Sequence, residues 1–315
     1  MRLVVNFMLL AFVLSLPLGA AEDTKFTIDV SGFFLTRGAG PTAPLVSLID
    51  NAGTGDIFTT NSVALNTWKP GGDLRLGCLW SKFGAEVRGF LLAKWSKSAT
   101  YTQTVSSLLA IETDPFTSYG LWPGETLTAN NESILKGLEA NLTYDLTPTV
   151  RLYGGIRYLR INERFNLLGV FGGGNTELDV WNTTNSMLGG QIGTRIEFLR
   201  LDDAAARGFT VQGHGAFALF HNNAHADFTV VDYYGLITAD ANKVSPAVEA
   251  GLQVGYRLGR MIELHAGYDL IWLSSVAQAI RHVAAMTPYL SSPPLSLVFD
   301  SLVIHGAKAG VTIRF

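Results

Sequence analysis

The feature that most constrains this chain is an alternation of period two that returns along its whole length. In "SLVIHGAKAGVTIRF" (301–315), Phe315, Ile313, Val311, Ala309 and Ala307 form one apolar set, while Arg314, Thr312, Gly310, Lys308 and Gly306 are small or charged. Successive side chains of a strand point to opposite faces, so this segment is a strand with a different medium on each side. Nine further segments read the same way, starting near residues 26, 74, 83, 138, 150, 188, 209, 248 and 262. Each reaches or nears the ~9–11 residues with which a tilted strand crosses a bilayer.

Composition says which medium lies outside. The chain is 48% hydrophobic with mean hydropathy +0.24, yet no long uncharged apolar run follows Leu18. Thirty-three glycines and 16% charged residues do not suit a helical soluble enzyme. Apolar bulk spread over short alternating runs predicts an all-β fold, a transmembrane antiparallel up-and-down β-barrel. The opening stretch "MRLVVNFMLLAFVLSLPLGAA" has Arg2, an apolar run from Leu3 to Leu16, then Gly19, Ala20 and Ala21. It reads as a secretory signal peptide over 1–21, cut before Glu22, because the run is short of the ~20 residues of a spanning helix. Residues 22–315 are then a single barrel.

The connections between strands alternate strictly. Short links fall at Ser81–Lys82, Thr147–Pro148, Leu201–Arg207 and Gly259–Arg260, and long ones run over about 38–71, 99–131, 167–184, 222–244 and 277–300. An outer-membrane barrel has short periplasmic turns, long external loops and an even strand number. Ten strands fit. Twelve would need an extra hairpin inside a long loop, for which "DIFTTNSVALNTW" (56–68) is the candidate. Aromatic residues fall at expected interfaces: Trp80, Phe83, Tyr144, Phe198, Phe209 and Phe315 at the periplasmic ends, Trp95, Tyr158 and Trp272 at the external ones.

Parity also assigns the inward set. It holds the acids Asp29, Glu86, Glu139, Glu163, Glu197, Glu249, Glu263 and Asp269, with the bases Arg75, Arg88, Lys94, Arg151, Arg157, Arg195, Arg257, Lys308 and Arg314. On the lipid face such charges would cost ~2–4 kcal/mol each near the midplane. Ten strands lie near the eight-strand limit at which side chains fill a barrel. Eight acids against nine bases in that space will pair, since an unpaired buried charge costs several kcal/mol. The expected function is therefore a narrow pore for small polar solutes with a charge-paired lumen; the alternative is a structural or surface-binding barrel with a plugged interior, acting through its loops.

"YGGIRYLRINERFN" (153–166), "NSMLGGQIGTRIEF" (185–198), "EAGLQVGYRLGRMIELHAGYDLIWL" (249–273) and "HGAKAGVTIRF" (305–315) resemble a family of bacterial outer-membrane β-barrels of planctomycetes and proteobacteria, similar to the pore-forming outer-membrane proteins of Legionella. The resemblance covers about the second half of the chain. It implies an outer-membrane barrel with pore activity and names no substrate. It also implies that Phe315, ending the last strand, is the signal read by the barrel assembly machinery. Within this block, Arg157 with Glu163 and Arg195 with Glu197 are the expected ion pairs. The other partner expected is outer-membrane lipid.

Little points to other chemistry. The lone Cys78 excludes an intramolecular disulfide, and a net charge of −3 gives no nucleic-acid partner. No cofactor and no metal are expected. His221, His225 and Asp227 in "FHNNAHADF" begin a loop, so helical ligand spacing carries no weight there and a polar rim is the simpler reading. The strand count is shared with the omptin proteases, but only Asp227, Asp232, His221 and His282 could serve a rim hydrolase, and no motif supports one. Two loops, "YTQTVSSLLAIETDPFTSYGLWPGE" and "VAQAIRHVAAMTPYLSSPPLSLVF", are apolar for water-facing segments. They fold onto the barrel mouth, contact a partner, or extend strands beyond the membrane.

Overall fold

The computed structural model describes residues 24–38, 44–50, 53–103, 109–111, 123–171, 174–203, 207–230, 235–285 and 297–315. The expected signal peptide lies outside them. In chain order the strands are β1 (Lys25–Arg37), β2 (Pro44–Asp50), β3 (Gly53–Thr59), β4 (Lys69–Trp80), β5 (Phe83–Leu92), β6 (Trp95–Thr102) and β7 (Leu109–Ile111). There follow β8 (Thr126–Thr147), β9 (Val150–Phe171), β10 (Gly174–Asp202), β11 (Arg207–Val230), β12 (Gly235–Leu258), β13 (Ile262–Ala277), the short helix α1 (Ala279–Ala285) and β14 (Phe299–Arg314).

Ten of these close a ring in the order β5-β4-β1-β14-β13-β12-β11-β10-β9-β8, and β8 returns to β5. Every neighbouring pair is antiparallel; β1 meets β14 from Thr27↔Arg314 to Arg37↔Ile304, and β5 meets β8 from Phe83↔Tyr144 to Leu91↔Lys136. Closure leaves no bare backbone edge, which is the condition for a sheet to sit in hydrocarbon. The fold is the expected ten-stranded up-and-down barrel. The twelve-strand alternative fails because residues 56–68 supply the end of β3, a 3-10 turn (Thr60–Val63) and a coil. Strands β3, β2 and β7 form a separate three-stranded sheet instead.

The outward face is apolar where the sequence predicts it. Val30, Leu142, Ile192, Phe217 and Leu252 are 48–68% exposed, the range running from Phe217 to Ile192. On β9 the outward apolar set runs from Val150 to Tyr158, nine residues and one bilayer crossing.

Beyond that band the alternation continues with its sense reversed. On β9, Leu159, Ile161, Phe165 and Leu167 are buried inside, while Arg160, Asn162, Arg164 and Asn166 take the outer positions. On β11, Phe220, Ala224 and Phe228 are inside, with His221, Asn223 and His225 outside. Below the switch the barrel is greasy outside and charged inside; above it the wall is arranged like a water-soluble protein. The expected loops 167–184 and 222–244 are consequently mostly strand: β9 reaches Phe171, β10 starts at Gly174, β11 reaches Val230 and β12 starts at Gly235. A search for lipid-facing strands stops where the outer face becomes wet, although the hydrogen-bonded ladder does not.

Two inward or girdle assignments are corrected by one break. Between β5 and β6 the chain leaves the ladder at Ala93–Lys94, and parity shifts. Trp95 then points inward, 1% exposed, its Nε1–H donating to the Thr67 carbonyl at 3.0 Å, and is no girdle residue. Lys94 turns outward and pairs with Glu132 at 2.7 Å, so it does not line the lumen.

Candidate functional site: a filled lumen

The interior is stacked in layers, each set by which residues the reversal of pattern turns inward. The first, at bilayer depth, is ionic. Arg88 on β5 pairs with Asp73 and reaches Glu249 at 3.3 Å and Glu139 at 3.5 Å. Arg157 on β9 lies 2.6 Å from Glu249 and 3.2 Å from Glu139. Gln191 donates to both Glu139 Oε2 (3.1 Å) and Asn141 Oδ1 (2.8 Å), tying β8 to β10. His214 stands 3.6 Å from Glu249 and 3.7 Å from Asp269, and Lys308 is 3.0 Å from Asp269. Two of these contacts, from Arg88 on β5 and Arg157 on β9 to Glu249 on β12, join strands five and three places apart in the ring and span the bore, while the others link strands one or two places apart along its wall. Buried charges are tolerable only when paired in this way.

Nearer the short-turn end, Arg195 grips Glu86 with two nitrogens at 2.6 and 2.7 Å. Glu263 receives Arg314 at 2.6 Å and Arg257 at 3.5 Å. Glu197 meets Arg200 at 2.7 Å and Arg257 at 3.8 Å. The expected pairs Arg157–Glu163 and Arg195–Glu197 therefore do not form: each arginine is taken by an acid from another strand. Arg157 and Glu163 stand six residues apart along β9, too far to meet, and Arg195 is held by both oxygens of Glu86 on another strand. Arg75 also lines the inner space and receives none of these carboxylates.

Above the ions comes an apolar layer of Phe33, Leu35, Phe90, Leu92, Trp95, Leu159, Met187, Phe220, Leu273 and Ile304. Over it sits an element the sequence does not announce. After Leu273 the ladder with β14 slips, Ser275 adopts a left-handed φ of 54°, and the chain turns into the mouth. Inward polar residues take up its backbone: Asn185 donates to the Ala277 carbonyl (2.7 Å) and accepts the Ala277 N–H (2.8 Å). Asn222 and Ser245 donate to the Ser275 carbonyl at 2.9 and 3.0 Å.

Glu163 completes the latch. It pairs with Arg37 at 2.5 Å and accepts the Ala279 N–H at 3.0 Å, while Arg37 also donates to Gln278 at 3.2 Å. α1 thus enters the mouth as a cork, with Ala279 and Ile280 packed among Phe58, Leu127, Phe165, Leu167, Trp181 and Phe228. His282 donates Nδ1–H to the Gln278 carbonyl (2.7 Å) and accepts the Val298 N–H at Nε2 (3.0 Å). Burial pushes its pKa down, so the imidazole is neutral in this position.

The remaining histidine motif behaves differently. His225 faces outward between Asp240 (2.8 Å) and Asp227 (2.9 Å), with both ring nitrogens engaged. The hydrogen bond to Asp240 chiefly raises its pKa, against some desolvation, and Asp227 adds to the rise. His221 occupies the same outer face and His282 lies inside the cork, so they do not converge; Asp232 lies outside the described residues. Among the described residues no group of His, Cys, Asp and Glu could hold a metal ion.

No protein-family model and no curated protein sequence matches the chain. Solved structures do. The translocator domain of the autotransporter NalP from Neisseria meningitidis is 12% identical, with TM-score 0.39, covering 99% of this chain and 95% of its own. The outer membrane protease OmpT from Escherichia coli is 10% identical, with TM-score 0.40 over 94% and 98%. The Ralstonia pickettii toluene transporter TbuX is 11% identical, with TM-score 0.33 over 94% and 90%. Likeness at this level carries nothing about activity.

Proposed function

We propose that this chain is a bacterial outer-membrane barrel with an occluded lumen, acting through the tall wall and connections above its apolar band. The observation that carries this reading is the stack across the bore: cross-axis ion pairs, an apolar layer, and a cork latched by Glu163 and Arg37. On this reading the apolar belt contacts outer-membrane lipid, the short-turn end is periplasmic, residues 1–21 are removed on export, and Phe315 is presented to the assembly machinery. No catalytic role is assigned to any residue.

A narrow pore for small polar solutes, which the resemblance to Legionella-type pore formers favours, is the second reading. It has one observation behind it: cavities of about 860 Å³ and 170 Å³ lead from the short-turn end into the ionic layer. Conduction would then require the cork to leave. Single-channel recording of the refolded protein in planar bilayers separates the two. Silence supports occlusion; discrete, salt-dependent steps from the unaltered protein would overturn it in favour of a pore.

A further inference from the structure

The cavity of about 860 Å³ at the short-turn end is walled by basic side chains. Lys25, Arg151, Arg195, Arg200, Arg257, Arg260 and Arg314 line it against Glu86, Asp145 and Glu197, seven cations to three anions. Several of those arginines are already satisfied: Arg151 by Asp145 at 2.5 Å, Arg195 by Glu86, Arg257 by Asp202 at 3.1 Å and Arg314 by Glu263. Arg200 is held by Glu197, which leaves two of the seven, Lys25 and Arg260, to which the inner space adds Arg75. None of the ion pairs among the described residues involves Lys25, Arg75 or Arg260.

Arg75 is the informative one. It lines the inner space of about 170 Å³, which shares Arg151, Arg195 and Arg314 with the outer cavity, and its Nε is buried without a hydrogen-bond partner. Its cross-strand neighbour on β5 is another cation, Arg88. Asp29 and Glu86 are near enough to act on Arg75 through their charge, but the oxygens of the nearby acids are engaged by other donors. Asp73 pairs with Arg88, and Glu86 holds Arg195 by both oxygens. Asp29, opposite Arg75 on β1, accepts from Ser31 at 2.9 Å and Thr312 at 2.6 Å. A half-buried guanidinium whose Nε has no acceptor, beside a like charge, is costly unless something else supplies the acceptor.

We infer that this chamber is a blind binding site for a small organic anion, whose carboxylate or phosphate head docks on Arg75 at the inner end. Arg195 and Arg151 flank the head, Lys25 and Arg260 draw the anion in at the rim, and the cavity houses the rest of the molecule. The chamber stops at the cross-axis ion pairs, so the inference rests on the occluded reading for the word blind, but not for the site itself.

Calorimetric titration of the detergent-solubilised, folded barrel tests it, with hexyl phosphate, hexanoate and inorganic phosphate as probes and hexanol as the uncharged control. Saturable one-to-one binding of hexyl phosphate or hexanoate, absent for hexanol and weakened at least tenfold by Arg75→Gln, is expected. Absence of saturable anion binding, or equal affinity in Arg75→Gln, overturns the proposal. Should Arg75→Gln not fold, Gln212→Glu, which adds a negative charge to the wall common to both spaces, must weaken binding at least as much. Repeating the titration in phosphatidylcholine bilayers with added phosphatidylglycerol separates sources: unchanged affinity assigns the site to free anions, competitive loss to a lipid headgroup, and either supports it. Bilayer recordings on the same sample keep the readings apart. Binding with silence supports both, binding with channel steps sinks occlusion alone, and silence without binding sinks this inference alone.

Discussion

Glu163 is the residue whose removal should be felt most sharply. Its side chain is 1% exposed and that of Arg37 is 5% exposed. The carboxylate accepts from Arg37 at 2.5 Å, from the Ala279 N–H at 3.0 Å and from Ser133 at 3.3 Å. Glu163→Ala leaves a buried guanidinium without its counter-ion, a loss of about 3–5 kcal/mol when one partner of a buried pair is deleted. Replacing both partners removes the unpaired charge but still leaves the Ala279 N–H without an acceptor, so Arg37→Met with Glu163→Met should cost about 1–3 kcal/mol, less than Glu163→Ala. The single variants Arg37→Met and Glu163→Met complete a cycle with the double and the parent, whose coupling should be about 3 kcal/mol or more. Denaturant unfolding in detergent micelles, followed by tryptophan fluorescence, reads them all. The latch argument fails if Glu163→Ala costs no more than the double variant.

Trp95→Ala should lose about 3–5 kcal/mol, read by the same unfolding assay, because the ring fills the inner apolar layer and not the membrane interface. Ile192→Arg, on the lipid face at 68% exposure, should destabilise by about 2–4 kcal/mol in bilayers, measured as a lowered folding yield into vesicles. The depressed pKa of His282 means that the unfolded chain binds its proton first. Its stabilisation is complete above the ordinary value of about 6.5 and is lost as pH falls from there toward the folded pKa. Unfolding midpoints at pH 7.5 and 5 should therefore differ, and His282→Gln should flatten that difference. His225 carries the opposite sign: its raised pKa gives stability below about 6.5 that disappears as pH rises through the folded value. An NMR titration of its ring should show the elevated pKa falling toward normal in Asp240→Asn.

The barrel was legible in the sequence because period two plus charge leaves one arrangement in lipid. Val150 to Tyr158 can turn only one face to acyl chains. Strand number followed from the spacing of turns at Ser81 and Gly259, both of which have positive φ, 55° and 147°. What escaped was what the third dimension adds. Parity assigns Glu249 and Arg157 to the inside, but not that they meet across the axis from β12 and β9. Trp181 and Phe228 were hidden within expected loops, since above the membrane the reversed alternation looks like ordinary polar sequence. α1 had a faint signal in the apolar "VAQAIRHVAA", with folding onto the mouth among three readings. Choosing among them required Asn185 and Asn222, which signal nothing until the backbone they hold is seen.

The cork belongs to the connection between the last two strands, and that position orders the assembly of the whole molecule. Arg37 and Gln278 are separated by 241 positions, and the hydrogen bond between them has no meaning until β1 and β14 have met at the seam. Contacts so distant in sequence form late, after the entropy of bringing the ends together has been overcome. The seam pair Thr27 and Arg314 is more distant still, so closure of the cylinder and sealing of its mouth are expected together as the last steps of folding.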